Sequence, residues 1–402
     1  MIFWTVVGTW TGTLIYDRTQ TKKTKQKWCT LVSHIARESL PTNQLPRRMT
    51  IYLAAPPSDS LSTTREHFVD YVKPVLVAAA MDWDVVEGRR EGDIRAALAD
   101  RIRRQRHVDG EPVEIPFEET PTSVLDPLRA RIGVEQWPGE NGDIIVGRNT
   151  WKEYVRGLHE GWLGPMDAPP PPPPAPPAES PTVLDTDAAS PPPTKVAEIP
   201  AEATTPSDST PSTTAEEAKT SDDPPKEEEP TEPEKPLVPP PYNMPDSYAS
   251  SHLPPSIPSR FAASTAIHFP HILGFFNTPI RMWRFLNRRS LADDIGRQTA
   301  AAVLASHRHY HTTSTGSEAS NTLSWEQQDV LVQEEQEWHK SVKEPKEYAP
   351  ERIWLDDVVI DARIGERMRR FELQAVDEER ARAIGRGQAG IPGRTGDAEE
   401  KE

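Results

Sequence analysis

The chain has 402 residues, a formal net charge of −16, 43 prolines and one cysteine. That length allows two domains and a tail, but a hydrophobic content of 35% is low for a chain packed throughout. A single cysteine, Cys29, excludes an intramolecular disulfide and argues against a cysteine-based metal site, and residues 168–245 carry −11 of the net charge, so the acidity describes no acidic active site.

Residues 2–16 are uncharged; Asp17 and Arg18 follow, then Lys22, Lys23, Lys25 and Lys27. An apolar plug with a cationic collar holds a chain at a bilayer. Residues 1–18 therefore read as a membrane anchor formed by Ile2, Phe3, Trp4, Val6, Val7, Gly8, Gly12, Leu14, Ile15 and Tyr16. The run is shorter than the ~20 apolar residues of a spanning helix, so the expectation is an anchor that begins upstream of Met1. A signal-peptide h-region would need a basic segment ahead of it. A buried element of a globular domain stays open, because short apolar runs are ambiguous. Gly8 and Gly12 form a small-xxx-small pair that lets another helix approach closely.

Residues 19–45 hold the collar and an amphipathic helix over 29–45, with Leu31, Val32, Ile35 and Ala36 on one face. Residues 49–55 read as a buried strand stopped by Pro56 and Pro57. Ser62 or Thr63 caps a helix through Phe68, Tyr71, Val72, Val75, Leu76 and Ala79, which Pro74 kinks or divides. Residues 83–87 form a second strand, and 93–107 a helix with Ile94, Leu98 and Ile102 inward. A loop runs to Asn141, residues 143–147 form a third strand, and Asn149 or Thr150 caps a helix to Leu158. This alternation predicts a parallel three-layer α/β domain over residues 46–167.

More than half of the prolines lie in residues 169–245. Composition there predicts a long disordered acidic Pro-rich linker over 168–245, a semi-rigid spacer rather than a core. A mixed, largely helical C-terminal region occupies 246–384, and a disordered tail 385–402. Within the region, 264–276 reads as extended, 278–286 as a short helix with Pro279 in its first turn, 291–306 and 325–341 as helices, 354–360 as strand-like and 366–371 as helical.

The chemistry of this composition is sparse. A phosphate site needs glycines that bring backbone amides to the anion. The first βα turn offers Pro56 and Pro57 instead. The second, residues 87–93, has Gly88, Arg89, Arg90 and Gly92 and faintly resembles the glycine-rich loop of diacylglycerol-kinase-like folds, without consecutive glycines. Its plain reading is a turn in which Gly88 takes positive φ. His307, His309 and His311 alternate but sit in a loop composition, so no metal is assigned, and His268 and His271 read as core or interface residues. Nothing marks a catalytic residue or a cofactor. Three arginine clusters recur: Arg101, Arg103, Arg104 and Arg106; Arg281, Arg284, Arg288 and Arg289; and Arg363, Arg367, Arg369 and Arg370. Both flanking regions are net acidic, which excludes nucleic acid as a partner. The second cluster stands beside Trp283 and Phe285 on an amphipathic helix. That pairing suits lipid head groups or a membrane partner, so Trp283, Arg284, Phe285, Arg288 and Arg289 are the candidate interface.

Longer strings carry a resemblance. Lys27-Trp28-Cys29, Glu66-His67-Phe68, Asp82-Trp83-Asp84-Val85-Val86-Glu87-Gly88-Arg89-Arg90-Glu91-Gly92, Thr150-Trp151-Lys152-Glu153-Tyr154, Asn277-Thr278-Pro279-Ile280-Arg281, Phe285-Leu286-Asn287-Arg288-Arg289 and Arg367-Met368-Arg369-Arg370-Phe371 are similar to the fungal Tim fifty-four family. These are the large, singly anchored subunits of the mitochondrial inner-membrane translocase for carrier proteins. The resemblance implies a non-enzymatic scaffold that supports the assembly or stability of that complex. Its partners would be other subunits of the carrier translocase, inner-membrane lipid and, indirectly, precursor proteins. It implies a single-pass protein of the inner membrane with its bulk in the intermembrane space. The alternative is a lipid- or nucleotide-modifying enzyme of diacylglycerol-kinase-like fold. Relatives carry residues before the anchor, whereas Met1 here lies inside it.

Overall fold

The computed structural model describes residues 2–57, 59–114, 117, 121–135, 137–139, 141–168, 240–314, 323–334 and 357–388. The expected linker falls almost wholly outside this set, as do residues 335–341, 354–356 and the tail beyond 388.

No proline interrupts the chain before Pro41, and one helix, α1 (Ile2–Val32), runs through both the uncharged segment and the basic collar. At ~1.5 Å per residue it is about 46 Å long. The amphipathic helix expected over 29–45 is absent: a short turn at Ile35–Arg37 follows α1, and Pro41 and Pro46 keep the rest out of helical geometry. Among the described residues no helix is long and apolar enough to cross a membrane. The anchor expected over residues 1–18 is therefore the exposed first half of a longer helix.

The core is a six-stranded sheet. Its strands are β1 (Arg48–Ala54), β2 (Asp82–Gly88), β3 (Asp143–Val146), β4 (Ser264–Ile267), β5 (His307–His309) and β8 (Arg369–Phe371), in the order β2-β1-β3-β4-β8-β5. All neighbours are parallel except β5, which pairs antiparallel with β8 at the edge. Separately, β6 (Thr312–Ser314) and β7 (Leu323–Trp325) pair antiparallel. The parallel sheet expected within 46–167 thus does not close there. Strands from beyond residue 240 continue it through the register Asp143↔Ser264 to Val146↔Ile267. Residues 366–371, expected helical, fall after the short helix α10 (Ala362–Gly365) and end in β8. Burial alternates along β8, with Arg369 and Phe371 inward, which is a strand period.

Helices cover both faces, giving the three layers the alternation predicts. Met49, Ile51, Leu53, Ile144, Val146 and Ile267 point to one core, shared with α1, with α2 (Leu61–His67) and α3 (Lys73–Ala78), and with α8 (Arg288–Val303) and α11 (Ala375–Gly385). Tyr52, Ala54, Ile145 and Ala266 point to the other, shared with α4 (Asp93–Val108) and α6 (Arg148–Leu163). Between α2 and α3 the chain makes a π-helical turn, Phe68–Val72. It lies just before Pro74, whose missing N–H and ring disrupt an α-helical ladder. The helix is therefore divided where its proline predicts, although Ser60 rather than Ser62 or Thr63 precedes it. The expected loop before Asn141 contains a further helix, α5 (Pro121–Ile132). Residues 325–334 hold one helical turn, α9 (Glu326–Asp329), in place of the long helix expected, and residues 357–360 carry no regular structure.

α1 fixes an orientation for the whole sheet. The Cys29 thiol donates to the Pro74 carbonyl at 3.4 Å. The residues after α1, His34 and Ile35, line a cavity of about 510 Å³ with Arg47 and Met81, just ahead of β1 and β2. The C-terminal end of α1 thus lies at the amino edge of the sheet, and its uncharged half extends beyond the carboxyl edge.

Candidate functional site

The carboxyl edge is where open α/β sheets bind ligands, and the turn after β2 is the position for a phosphate. That turn is already filled. Asp93 Oδ2 accepts the Arg89 and Arg90 amides at 3.0 and 2.8 Å. Glu153, fully buried on α6, accepts the Ile94 amide at 3.1 Å through Oε2. Side-chain carboxylates thereby meet backbone donors in this turn and at the start of α4, where an anion would otherwise bind. Gly92, with φ of 89°, takes the left-handed conformation at the helix start. Gly88, expected to do so, lies in β2, and a Cβ there would come within 2.8 Å of Ile94. Burial pushes the Glu153 carboxyl up to about 7, against the opposing pull of the Gly92, Ile94 and Arg95 amides.

Two of the three arginine clusters are structural. Arg95 and Arg103 both pair with Glu160, the latter at 2.8 Å, and all three side chains are buried. Arg106 donates to the carbonyls of Gly161 and Gly164 at the end of α6. Arg101 reaches Tyr52 and Asp143, and Arg104 lies over Phe117. Most of these groups tie α4 to α6 and to the sheet, so their charge is directed inward. In the third cluster, Arg363 donates to the Tyr248 and Ser251 carbonyls, Arg369 to that of Phe261, and Arg370 to Glu326 at 2.8 Å. Glu326 also pairs with Arg308. Burial alone would raise its carboxyl, but these partners hold it down at about 2. His307 and His309 lie on the edge strand β5, not in a loop. His307 Nε2 accepts from Arg369 at 3.1 Å, and no metal-holding group of side chains occurs among the described residues. His268 and His271 are partly buried; His271 faces Asp59 at 3.5 Å and stacks on Phe269.

The second cluster is different. It belongs to α7 (Thr278–Leu286) and the start of α8, and no residue of α7 is buried. Arg284 donates to the Pro270 carbonyl and Arg281 to that of Gly274, so both guanidinium groups bond back to the protein's own backbone. Ile280, Met282 and Trp283, 45%, 47% and 65% exposed, are left toward solvent. A surface helix normally buries its apolar side; this one is turned the other way. Of the candidate interface, Trp283 and Phe285 are exposed, and Arg288 covers the Phe285 ring at 4.7 Å. Arg289 donates its amide to Asp17 Oδ1 and lies over the Tyr16 ring at 5.3 Å. These contacts place the α7–α8 corner beside the point where the uncharged run of α1 ends. Farther along, Trp28 donates to Asp293 at 2.9 Å, and its ring lies so close to Gly296 that a Cβ there would be 2.3 Å away. Gly8 and Gly12, by contrast, face open space. The sequence reading missed Phe275 and Phe276, 83% and 92% exposed; an aromatic pair between Gly274 and the start of α7 was the available signal.

Fold and site together define an open, mostly parallel α/β sheet whose own carboxylates, Asp93 and Glu153, meet the backbone donors in the turn after β2 and at the start of α4. A family model described as "Inner membrane protein import complex subunit Tim54" matches residues 1–371. The chain is similar to mitochondrial import inner membrane translocase subunit tim54 of Aspergillus fumigatus, at 45% identity over 98% of this chain and 91% of the relative. It is similar to the proteins of the same name from Aspergillus oryzae, at 46% over 96% and 86%, and Neurospora crassa, at 44% over 96% and 79%. The chain belongs to the Tim54 family. It is a non-enzymatic subunit of the mitochondrial inner-membrane import translocase, with other subunits of that complex as partners.

Proposed function

We propose that this subunit is a membrane-tethered scaffold for the translocase that inserts multi-spanning carrier proteins, supporting assembly or stability of the complex. The observation that carries the reading is α7, a helix that buries none of its residues. It presents Trp283 and Phe285 at the corner with Arg284, Arg288 and Arg289, and this surface is the proposed contact for another subunit. Large exposed aromatics with arginine are the side chains that dominate interface energetics. Precursors would meet the complex indirectly through such contacts.

The tether is residues 2–16, which would lie in inner-membrane lipid as part of a single membrane segment, with the bulk of the chain in the intermembrane space. Ile2, Phe3, Trp4, Val6 and Ile15 are more than 60% exposed. The hydroxyls of Thr5, Thr9, Thr11 and Thr13 all donate to carbonyls three or four residues earlier. Polar groups satisfied within the helix suit an apolar medium.

The paired substitutions Trp283→Ala with Phe285→Ala weaken the complex on a native gel and reduce carrier import in parallel. Arg89→Ala with Arg90→Ala, in the filled turn, leaves both near wild type. Loss of import in the turn variant with an intact complex, and no effect of the aromatic variant, would sink the scaffold reading. Carbonate extraction tests the tether: the protein stays with the membrane pellet, and recovery in the soluble fraction overturns it.

A further inference from the structure

We infer that the carboxyl edge of the sheet lies against the bilayer, and that Phe275 and Phe276 form a second lipid contact that inserts into an anionic phospholipid surface. The inference rests on the reading that residues 2–16 of α1 enter lipid, and it names a different part of the molecule. β4 runs parallel to β1 and β3, so the chain leaves Ile267 at the carboxyl edge, the edge beyond which α1 extends. Residues 268–276 then continue outward. His67, just before the π-helical turn, meets Phe269 at 4.9 Å and the His268 carbonyl at 3.1 Å, which pins the base of this excursion to α2. α7 brings the chain back to Arg289, at Tyr16 and Asp17. The excursion therefore begins at the carboxyl edge and ends where the uncharged run of α1 gives way to charge.

Its side chains have the composition of an interfacial contact. Phe275 and Phe276 are the most exposed aromatic rings among the described residues, and they touch each other edge to face at 6.0 Å. Ile280, in the first turn of α7, is also exposed. Arg281, on α7, donates to the Gly274 carbonyl next to the pair at 3.3 Å, Arg288 lies over the Phe285 ring, and Arg18, Lys22 and Lys23 are exposed on α1 past its uncharged run. Asp17 is consumed by the Arg289 amide. An exposed aromatic pair with arginine beside it is the chemistry that enters the headgroup and upper acyl region of an anionic leaflet. A protein partner for the same pair is the other occupant the experiment can report. The contact would set the angle of the sheet against the membrane, because a lone helix leaves rotation about its own axis free.

The test uses the full chain. In a Cys29→Ser background, Phe276→Cys carries a polarity-sensitive fluorophore, and Val108→Cys, 83% exposed at the far end of α4, is the control. Each protein is placed in phosphatidylcholine vesicles with or without phosphatidylglycerol. The label at 276 should shift to the blue, lose quenching by aqueous iodide and gain quenching by shallow nitroxide lipids, more so with phosphatidylglycerol. The label at 108 stays open to iodide. A label at 276 that remains open to iodide in both vesicles overturns the inference. So does shielding that appears only when other translocase subunits are co-reconstituted, which would assign the pair to protein. As a variant without a label, Phe275→Ser with Phe276→Ser keeps the melting temperature, since little packs on these rings, and weakens lipid protection of α7 from proteolysis; unchanged protection overturns the inference. Carbonate resistance separates the two readings: a protein that stays in the pellet with residue 276 in water loses this inference alone.

Discussion

Glu153 is a carboxyl group placed where its charge is costly. Burial lifts it from 4.5 to about 7, and its Oε1 has no hydrogen-bond partner. A carboxyl whose folded value is raised binds protons more tightly in the native state, so stability is highest below the unfolded value. It falls as pH climbs from 4.5 through about 7. The loss across that window is on the order of 3 kcal/mol. His67 and His159 act in the opposite sense. Burial lowers both to about 4, so their contribution is lost as pH falls from 6.5 toward that value. Comparing Glu153→Gln with wild type isolates the first effect. The two should melt closely together near pH 5, and the variant should be the more stable at pH 8, by chemical denaturation at each pH. A stability difference independent of pH would refute the assignment. The residue was visible in the sequence, within the string Trp151-Lys152-Glu153-Tyr154. Its task was not, because it caps a helix start distant in sequence. The same holds for Glu160, whose partners Arg95 and Arg103 lie 65 and 57 positions away in the sequence. Removing one member of such a buried set typically costs about 3–5 kcal/mol, since the remaining charges lose their compensation.

Among elements, those with a strong period were legible and those set by distant partners were not. β1, β2, β3, α4 and α6 fall close to where apolar spacing places them, and Pro74 marks the break between α2 and α3. The residues of β8 were read as part of a helix over 366–371. They form a strand because β4 and β5 offer backbone partners on either side. α1 was divided into anchor and helix by charge alone, although nothing in its backbone interrupts it. The pairing of α4 with α6 depends on glycine in a way that sequence period does not show. A Cβ on Gly157 would meet the Arg95 carbonyl oxygen at 2.9 Å, and one on Gly161 would meet Ile102 at 2.7 Å. Gly161→Ala therefore forces the two helices apart over the buried Arg103–Glu160 pair. A loss of about 1–3 kcal/mol is expected from overpacking, read as a lower denaturant midpoint with little change in slope. The higher helix propensity of alanine works against this by roughly 1 kcal/mol, so a net gain in stability would show that the helices can separate without strain.

At the scale of the molecule, composition locates an interruption in the sequence without revealing that it interrupts a sheet. The charge and proline content of residues 168–245 suggested two separately folded regions. The structure instead seats β4 beside β3, with four matched residue pairs from Asp143↔Ser264 to Val146↔Ile267. Trp162 of α6 stacks on Phe261 at 5.7 Å, and Trp151 donates to the Gln327 carbonyl at 2.9 Å. α8 supplies Ile295 and Val303 to the core that holds α1. A fragment of residues 1–168 would expose the inner edge of β3 and lose the cover over these side chains. At roughly 1.5–3 kcal/mol for each large apolar group returned to water, a few of them exceed the ~5–15 kcal/mol stability of a typical domain. Expressed alone in mild detergent, that fragment should show no cooperative melt and should aggregate through its open strand edge. Expressed together, residues 1–168 and 240–402 should co-purify as one species that melts in a single transition near that of the intact chain, because each completes the other's sheet. A cooperative, monomeric melt from residues 1–168 alone would mean that the first three strands are self-sufficient, and the shared sheet would then be a docking of two domains rather than one fold.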